Sequence, residues 1–280
     1  MLSSSTTAHS ATSPLPGPAS ANPKPRSRLL RLRAASPVPS AALTARGRPP
    51  MCTVRASSAA GAGGWGAAAV GELATERLVE VAQRAADAAG EVLRKYFRQR
   101  VEIIDKEDHS KPLFGTLIAL LHNGKPVIGV IDQPILRERW IGVDGKQTTL
   151  NGQEISVRSC NLLAQAYLYT TSPHLFEGDA EDAFIRVRNK VKVPLYGCDC
   201  YAYALLASGF VDIVVESGLK PYDFLSLVPV IEGAGGSITD WRGDKLLWPV
   251  TAESRPTSFN VVAAGDARVH KQALDALQWR

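Results

Sequence analysis

The sequence predicts an α/β (α+β) domain, and three features of its patterning carry that expectation. Short apolar runs between about residues 113 and 157 are separated by turn residues, which reads as an antiparallel meander. From about residue 166 onward strand-like runs alternate with helix-like ones, so sheets and helices must be layered around a shared core. Residues 72–280 are also long enough to bury one good-sized core or two small layers that share it.

Leu73–Arg98 opens the domain as a helix, with Leu78, Val81, Ala82, Ala85, Ala89, Val92, Leu93 and Tyr96 recurring every three or four residues. Val101–Ile104 begins a strand. Leu113–Leu121 is a buried strand, His122-Asn123-Gly124-Lys125 a turn, and Pro126–Ile131 the returning strand. Arg139–Val143 and Glu154–Val157 continue the meander, with Asp144-Gly145 and Asn151-Gly152 as turn signals. Ala166–Thr170 is a further strand and Asp179–Lys190 a helix with a charged face. Val191–Pro194, Tyr201–Ser208 and Asp212–Val215 follow as strand, helix and strand. Pro221–Glu232 reads as one helix, kinked or opened by Pro229, which lacks the amide hydrogen its ladder needs. Glycines at Gly233–Gly236 end it, because they take a left-handed cap at no steric cost. Ser237–Thr239, Ser258–Ala263 and Arg268–Gln278 close the chain as strand, strand and helix.

The N-terminal region has a different chemistry. Residues 1–71 contain no Asp or Glu, while Lys24, Arg26, Arg28, Arg31, Arg33, Arg46, Arg48 and Arg55 supply eight of the chain's 32 basic residues. The remaining 24 face all 27 acids, so the net charge of +5 belongs to the leader and gives no indication of a nucleic-acid partner. An acid-free, Ser- and Arg-rich start is the composition of an organellar transit peptide. The first 23 residues carry no charged side chain apart from His9, which favours a plastid address over an arginine-studded mitochondrial helix. The expected organisation is a transit peptide over 1–57, a small-residue linker over 58–71 and a folded domain over 72–280, with the chloroplast stroma as its location.

Other classes are disfavoured. No apolar run approaches the ~18–20 residues that cross a bilayer. Four cysteines in 280 residues do not make a disulfide scaffold, and no Cys/His spacing points to zinc.

Three places set acids at element ends, where a rigid scaffold can aim them. Asp223 in Pro221-Tyr222-Asp223 stands in the first turn of a helix, where an Asp is more often a cap worth ~1 kcal/mol than a ligand. Glu216 in Glu216-Ser217-Gly218 lies just past an apolar strand, where binding residues gather in α/β folds; its ordinary reading is a solvated strand end. Gly197-Cys198-Asp199-Cys200-Tyr201 is a small-residue loop opening a helix. Asp199 there would repel a phosphate and suits a cationic group, or else simply caps the helix.

The run Lys220-Pro221-Tyr222-Asp223-Phe224-Leu225-Ser226-Leu227-Val228-Pro229-Val230-Ile231-Glu232-Gly233-Ala234-Gly235-Gly236 resembles the second signature of the inositol monophosphatase family. Tyr222 and the Phe-Leu after Asp223 are similar to the branch that dephosphorylates histidinol phosphate, as are Gly197–Tyr203 and Gly115–Ala119. The resemblance runs from Glu72 to the C-terminus. It implies a layered αβαβα sandwich, magnesium as cofactor, a small phosphate monoester as substrate and a homodimer as the common assembly. It makes Asp223 a metal ligand and sets Gly197, Cys198, Asp199, Glu216 and Asp223 around the substrate, with Asp199 accepting from its ammonium or imidazole.

Two family motifs are missing. A Gly-Glu-Glu segment and an Asp-Pro-Ile-Asp-Gly-Thr motif should lie between Val101–Lys106 and Lys111–Thr116, yet the chain passes from Ser110 directly to Lys111. The expectation is an internal deletion at 110/111 that truncates the first α/β half, removes most of the metal site and bares apolar faces on the first helix and on Leu113–Leu121. Asp105, Glu107 and Asp108 are nearby acids without a ligand role in the resemblance. The implied function is magnesium-dependent hydrolysis of L-histidinol phosphate in histidine biosynthesis, in an impaired or inactive form. An inositol-phosphate phosphatase, or a non-catalytic splice form or partner subunit of an intact enzyme, are the alternatives.

Overall fold

The structure is a computed structural model, and it describes residues 66–99, 115–248 and 257–280. The strand expected at Val101–Ile104, the acids Asp105, Glu107 and Asp108 and the transit peptide lie outside the described residues.

Helix α1 (Gly66–Tyr96) begins inside the linker expected to run through Gly71, because Ala67–Val70 are compatible with a helix that nucleates further on. Its small residues Ala82 and Ala86 let it approach Val130, Ile118 and Ile141 on the first sheet. A second apolar stripe on the same helix faces solvent: Leu78, Val81, Val92 and Tyr96 are 45–61% exposed.

That first sheet is the expected meander, fully antiparallel in the order β1 (Thr116–His122), β2 (Lys125–Gln133), β3 (Glu138–Val143), β4 (Thr149–Leu150) and β5 (Gln153–Glu154). Asn123 and Gly124 take φ of 50° and 78°, the left-handed pair that a tight hairpin between right-twisted strands requires. The strand expected over Glu154–Val157 stops at Glu154. Ile155 and Val157 instead donate to Thr148 and Ala234 across the layer.

The second sheet has the order β7-β6-β8-β10-β9. β6 (Tyr167–Thr170) runs parallel to β7 (Val193–Tyr196) and to β8 (Ile213–Leu219), while β10 (Phe259–Ala264) is antiparallel to β8 and to β9 (Ser237–Asp240). α2 (Asp179–Arg188) and α6 (Ala267–Leu277) cover its outer face through Phe184, Val187, Val269 and Ala273.

Between the sheets lie α3 (Cys200–Ala207), α4 (Pro221–Phe224) and α5 (Leu227–Gly233), packed in the largest core cluster with Trp140, Ile131, Val214 and Val261. The layers are therefore α1, sheet, α3–α5, sheet, and α2 with α6, the αβαβα order. The helix expected over Pro221–Glu232 is two helices. Pro229 cannot donate back to Leu225, and the ladder opens at Leu225-Ser226. The opened segment rests directly on the first sheet. A Cβ on Gly129 would stand 1.9 Å from the Ser226 carbonyl oxygen, and one on Gly142 would stand 2.3 Å from the Pro229 carbonyl carbon.

Candidate active site

The middle layer brings the three predicted acids together. Gly197, Cys198 and Asp199 follow β7 with φ of 100°, 71° and 46°, three consecutive residues in the left-handed region. Gly197 alone takes this without strain; Cys198 and Asp199 do so at a steric cost. The loop is pinned by the Gly197 amide, which donates to the carbonyls of Thr170 and Thr171, each at 3.0 Å. Asp199 occupies the N-cap position of α3, yet its side chain makes no cap hydrogen bond. The capping role is not taken, and the residue is exposed.

Glu216 is not past the end of its strand. β8 continues to Leu219 because β10 pairs with it there, Val261 opposite Glu216 and Phe259 opposite Leu219 across a bulge. The side chain is accordingly buried at 4% exposure, not solvated. Its Oε1 accepts from the Thr171 amide at 3.0 Å and from the Thr171 hydroxyl, and its Oε2 accepts from the Tyr203 hydroxyl at 3.2 Å. Burial pushes this carboxyl up to about 7, against the lowering effect of Thr171 and with the charge of Asp199 adding to the rise. Tyr203 itself is pushed well above the ordinary phenol range, first by burial and then by Glu216.

Asp223 caps its own helix, with Oδ2 accepting from the Lys220 amide at 2.8 Å. Lys220 is turned outward to the Ser258 hydroxyl at 2.6 Å.

Cys200 lies within electrostatic reach of all three acids. Burial pushes its thiol up to about 12, and the charges of Asp199, Glu216 and Asp223 all add to the rise. It is therefore a neutral thiol at physiological pH and no nucleophile. Gly115 abuts it: a Cβ there would lie 2.9 Å from the Cys200 sulfur. Thr171, Tyr203 and Cys200 were not singled out by the sequence, since their roles depend on contacts between separate elements. The polar Thr170-Thr171-Ser172 end of β6 was the available signal.

These residues do not fit a magnesium site as they stand. The ion asks for near-octahedral oxygen ligation. Among the described residues no three His, Cys, Asp or Glu side chains are arranged to hold a metal. Glu216 has both oxygens engaged, and one oxygen of Asp223 serves its cap. Nor is any described helix long and apolar enough to cross a membrane.

The five-layered α/β architecture sets Asp199 and Asp223 at the starts of inner-layer helices and Glu216 on β8 beside them. The inositol monophosphatase family model matches residues 108–279, and the chain belongs to the inositol monophosphatase family. It is 53% identical over 262 residues to the bifunctional phosphatase IMPL2, chloroplastic, of Arabidopsis thaliana, covering 73% of this chain and 76% of the relative. It is 31% identical over 160 residues to a histidinol-phosphatase of Mycobacterium tuberculosis, covering 52% of this chain and only 61% of that protein. An inositol monophosphatase from Zymomonas mobilis superposes with a TM-score of 0.64 at 37% identity, over 73% of this chain and 98% of the other. Since 73% of 280 residues is about 204, the 262-position alignment leaves about 58 positions of the plant relative without a counterpart here.

Proposed function

We propose that this chain keeps the substrate-facing half of a histidinol-phosphate phosphatase and lacks the half that would hold magnesium. The observation that carries the reading is the grouping of Asp199, Glu216 and Asp223 within electrostatic reach of Cys200, which Gly115 abuts. Carboxylates gathered around a neutral thiol attract a cation. The uncapped Asp199 is the one with a carboxylate at the surface, so it receives the ammonium or imidazole of the substrate. Glu216, braced by Thr171 and Tyr203, supports the polar body of the ligand from below. An inositol phosphate offers no cation for Asp199.

The deletion falls at 110/111 in this reading, because the two acidic motifs of the family are expected there and the chain passes directly from Ser110 to Lys111. Phosphate-monoester hydrolysis needs up to ~10²¹-fold acceleration, most of it from charge stabilisation at the transferring group. The described acids do not supply that, so the chain binds substrate without turning it over. The acid-free leader, and the chloroplastic name of the plant relative, support plastid targeting by residues 1–57.

Equilibrium titration of the chain with L-histidinol phosphate and with myo-inositol 1-phosphate, before and after Asp199→Ala, tests the reading. Asp199→Ala is expected to weaken the amine substrate about tenfold, the loss of one charge-assisted hydrogen bond, and to leave the inositol ester unaffected. Equal losses for both ligands, or none, would remove the amine-reading role.

A further inference from the structure

On the opposite face of the first sheet, a cleft of about 320 Å³ opens between α1 and the β2–β3 end. Three guanidiniums line it: Arg94 from α1, and Arg137 and Arg139 from the turn into β3. Arg139 is committed. It donates to Asp132 Oδ1 at 2.7 Å and to Asp87 Oδ1 at 2.8 Å, and so offsets one of the two carboxylate charges that share the cleft. Arg94 and Arg137 have no ion pair among the described residues.

The geometry is built. Arg137 stands at φ 59°, a left-handed conformation that costs a non-glycine residue energy. Asn151 holds it there: its Nδ2 donates to the Arg137 carbonyl at 3.0 Å and its Oδ1 accepts from the Arg139 amide at 3.0 Å. Arg94 is folded back over Gly90, where its Nη1 lies 3.0 Å and Pro134 Cβ 3.1 Å from the place a Cβ would occupy. Glycine at 90 thus leaves room for the exposed Arg94 to lie against the sheet end.

We propose that this cleft binds a phosphate dianion, free or as a monoester, between Arg94 and Arg137. The lining keeps a formal excess of one positive charge, and the planar forks of the two unpaired guanidiniums suit the tetrahedral oxygens of a phosphate. The cleft is distinct from the candidate active site. Arg139 and Ile141 point toward α1, whereas Glu138 and Trp140 point the other way and touch Tyr201, at the start of α3. The two sites share strand β3 and are separated by the thickness of the sheet.

The test is titration of the isotopically labelled, metal-free chain with inorganic phosphate and, separately, with glycerol phosphate. Saturable binding is expected, with amide shifts at Arg137, Asn151 and Gly152. Arg94→Gln and Arg137→Asn should each weaken it about tenfold; asparagine tolerates the left-handed backbone. Gly90→Ala, which displaces Arg94, should weaken it as well, and Arg94→Lys, which keeps the charge but not the planar fork, should weaken it less than Arg94→Gln and serves if the other variants do not fold. Tighter glycerol phosphate than phosphate identifies a monoester site, and the reverse a free-phosphate site. Non-saturable titration, unchanged affinity in all four variants, or shifts confined to Gly197–Tyr201 would overturn the proposal.

Discussion

Tyr203 donates its hydroxyl to Glu216 Oε2 at 3.2 Å, and both side chains are shielded from solvent in the layer between the sheets. A carboxyl in that position is costly when charged. Burial places it at about 7 in the fold against an ordinary 4.5, so between those values the native state holds a proton that the unfolded chain has released. Stability therefore falls as pH rises through that window and levels off above it.

Glu216→Gln removes this dependence. The amide keeps its oxygen toward Thr171 and can donate to the Tyr203 oxygen, so little changes at pH 5. At pH 8 a gain of up to about 3 kcal/mol is expected, from about 1.4 kcal/mol per unit of displacement. Urea unfolding at the two pH values checks it. Identical slopes for the two proteins would mean that Glu216 is charged in the fold.

Gly142→Ala should be severe. Its methyl would meet the backbone of Pro229, which cannot move without lifting α5 from the first sheet. Overpacking of this kind costs about 1–3 kcal/mol or more, read as a lowered urea midpoint. An unchanged midpoint would place the α4–α5 break elsewhere.

The exposed stripe on α1 is expected to govern solubility without governing stability. Val81→Lys together with Leu78→Gln should leave the unfolding free energy within about 0.5 kcal/mol, as surface changes do. Light scattering of the concentrated protein should fall. A large loss of stability would show that these side chains are covered in solution.

The order of elements was legible because periodicity and turn residues are local signals. The hairpin at Asn123-Gly124 and the closing helix over 267–277 need nothing beyond their neighbours in sequence. Glu216 was misplaced because the apolar run ends at Val215, whereas the strand ends where β10 stops pairing with it. The break at Leu225-Ser226 was visible in Pro229, but its docking on Gly129 and Gly142 was not, since that fit spans about a hundred residues of chain. The acids of the site were named one by one. Their grouping near Cys200 was hidden, because it depends on contacts between separate elements of the fold. The arginine cleft was equally silent, its cations coming from separate elements.

Phosphate release from L-histidinol phosphate in the presence of magnesium is the most direct test, run beside the plant relative. This chain is expected to release no phosphate above the enzyme-free blank while still binding the ester in an Asp199-dependent manner. Turnover comparable to that of the longer relative would mean that the acids needed for hydrolysis are present in this chain after all.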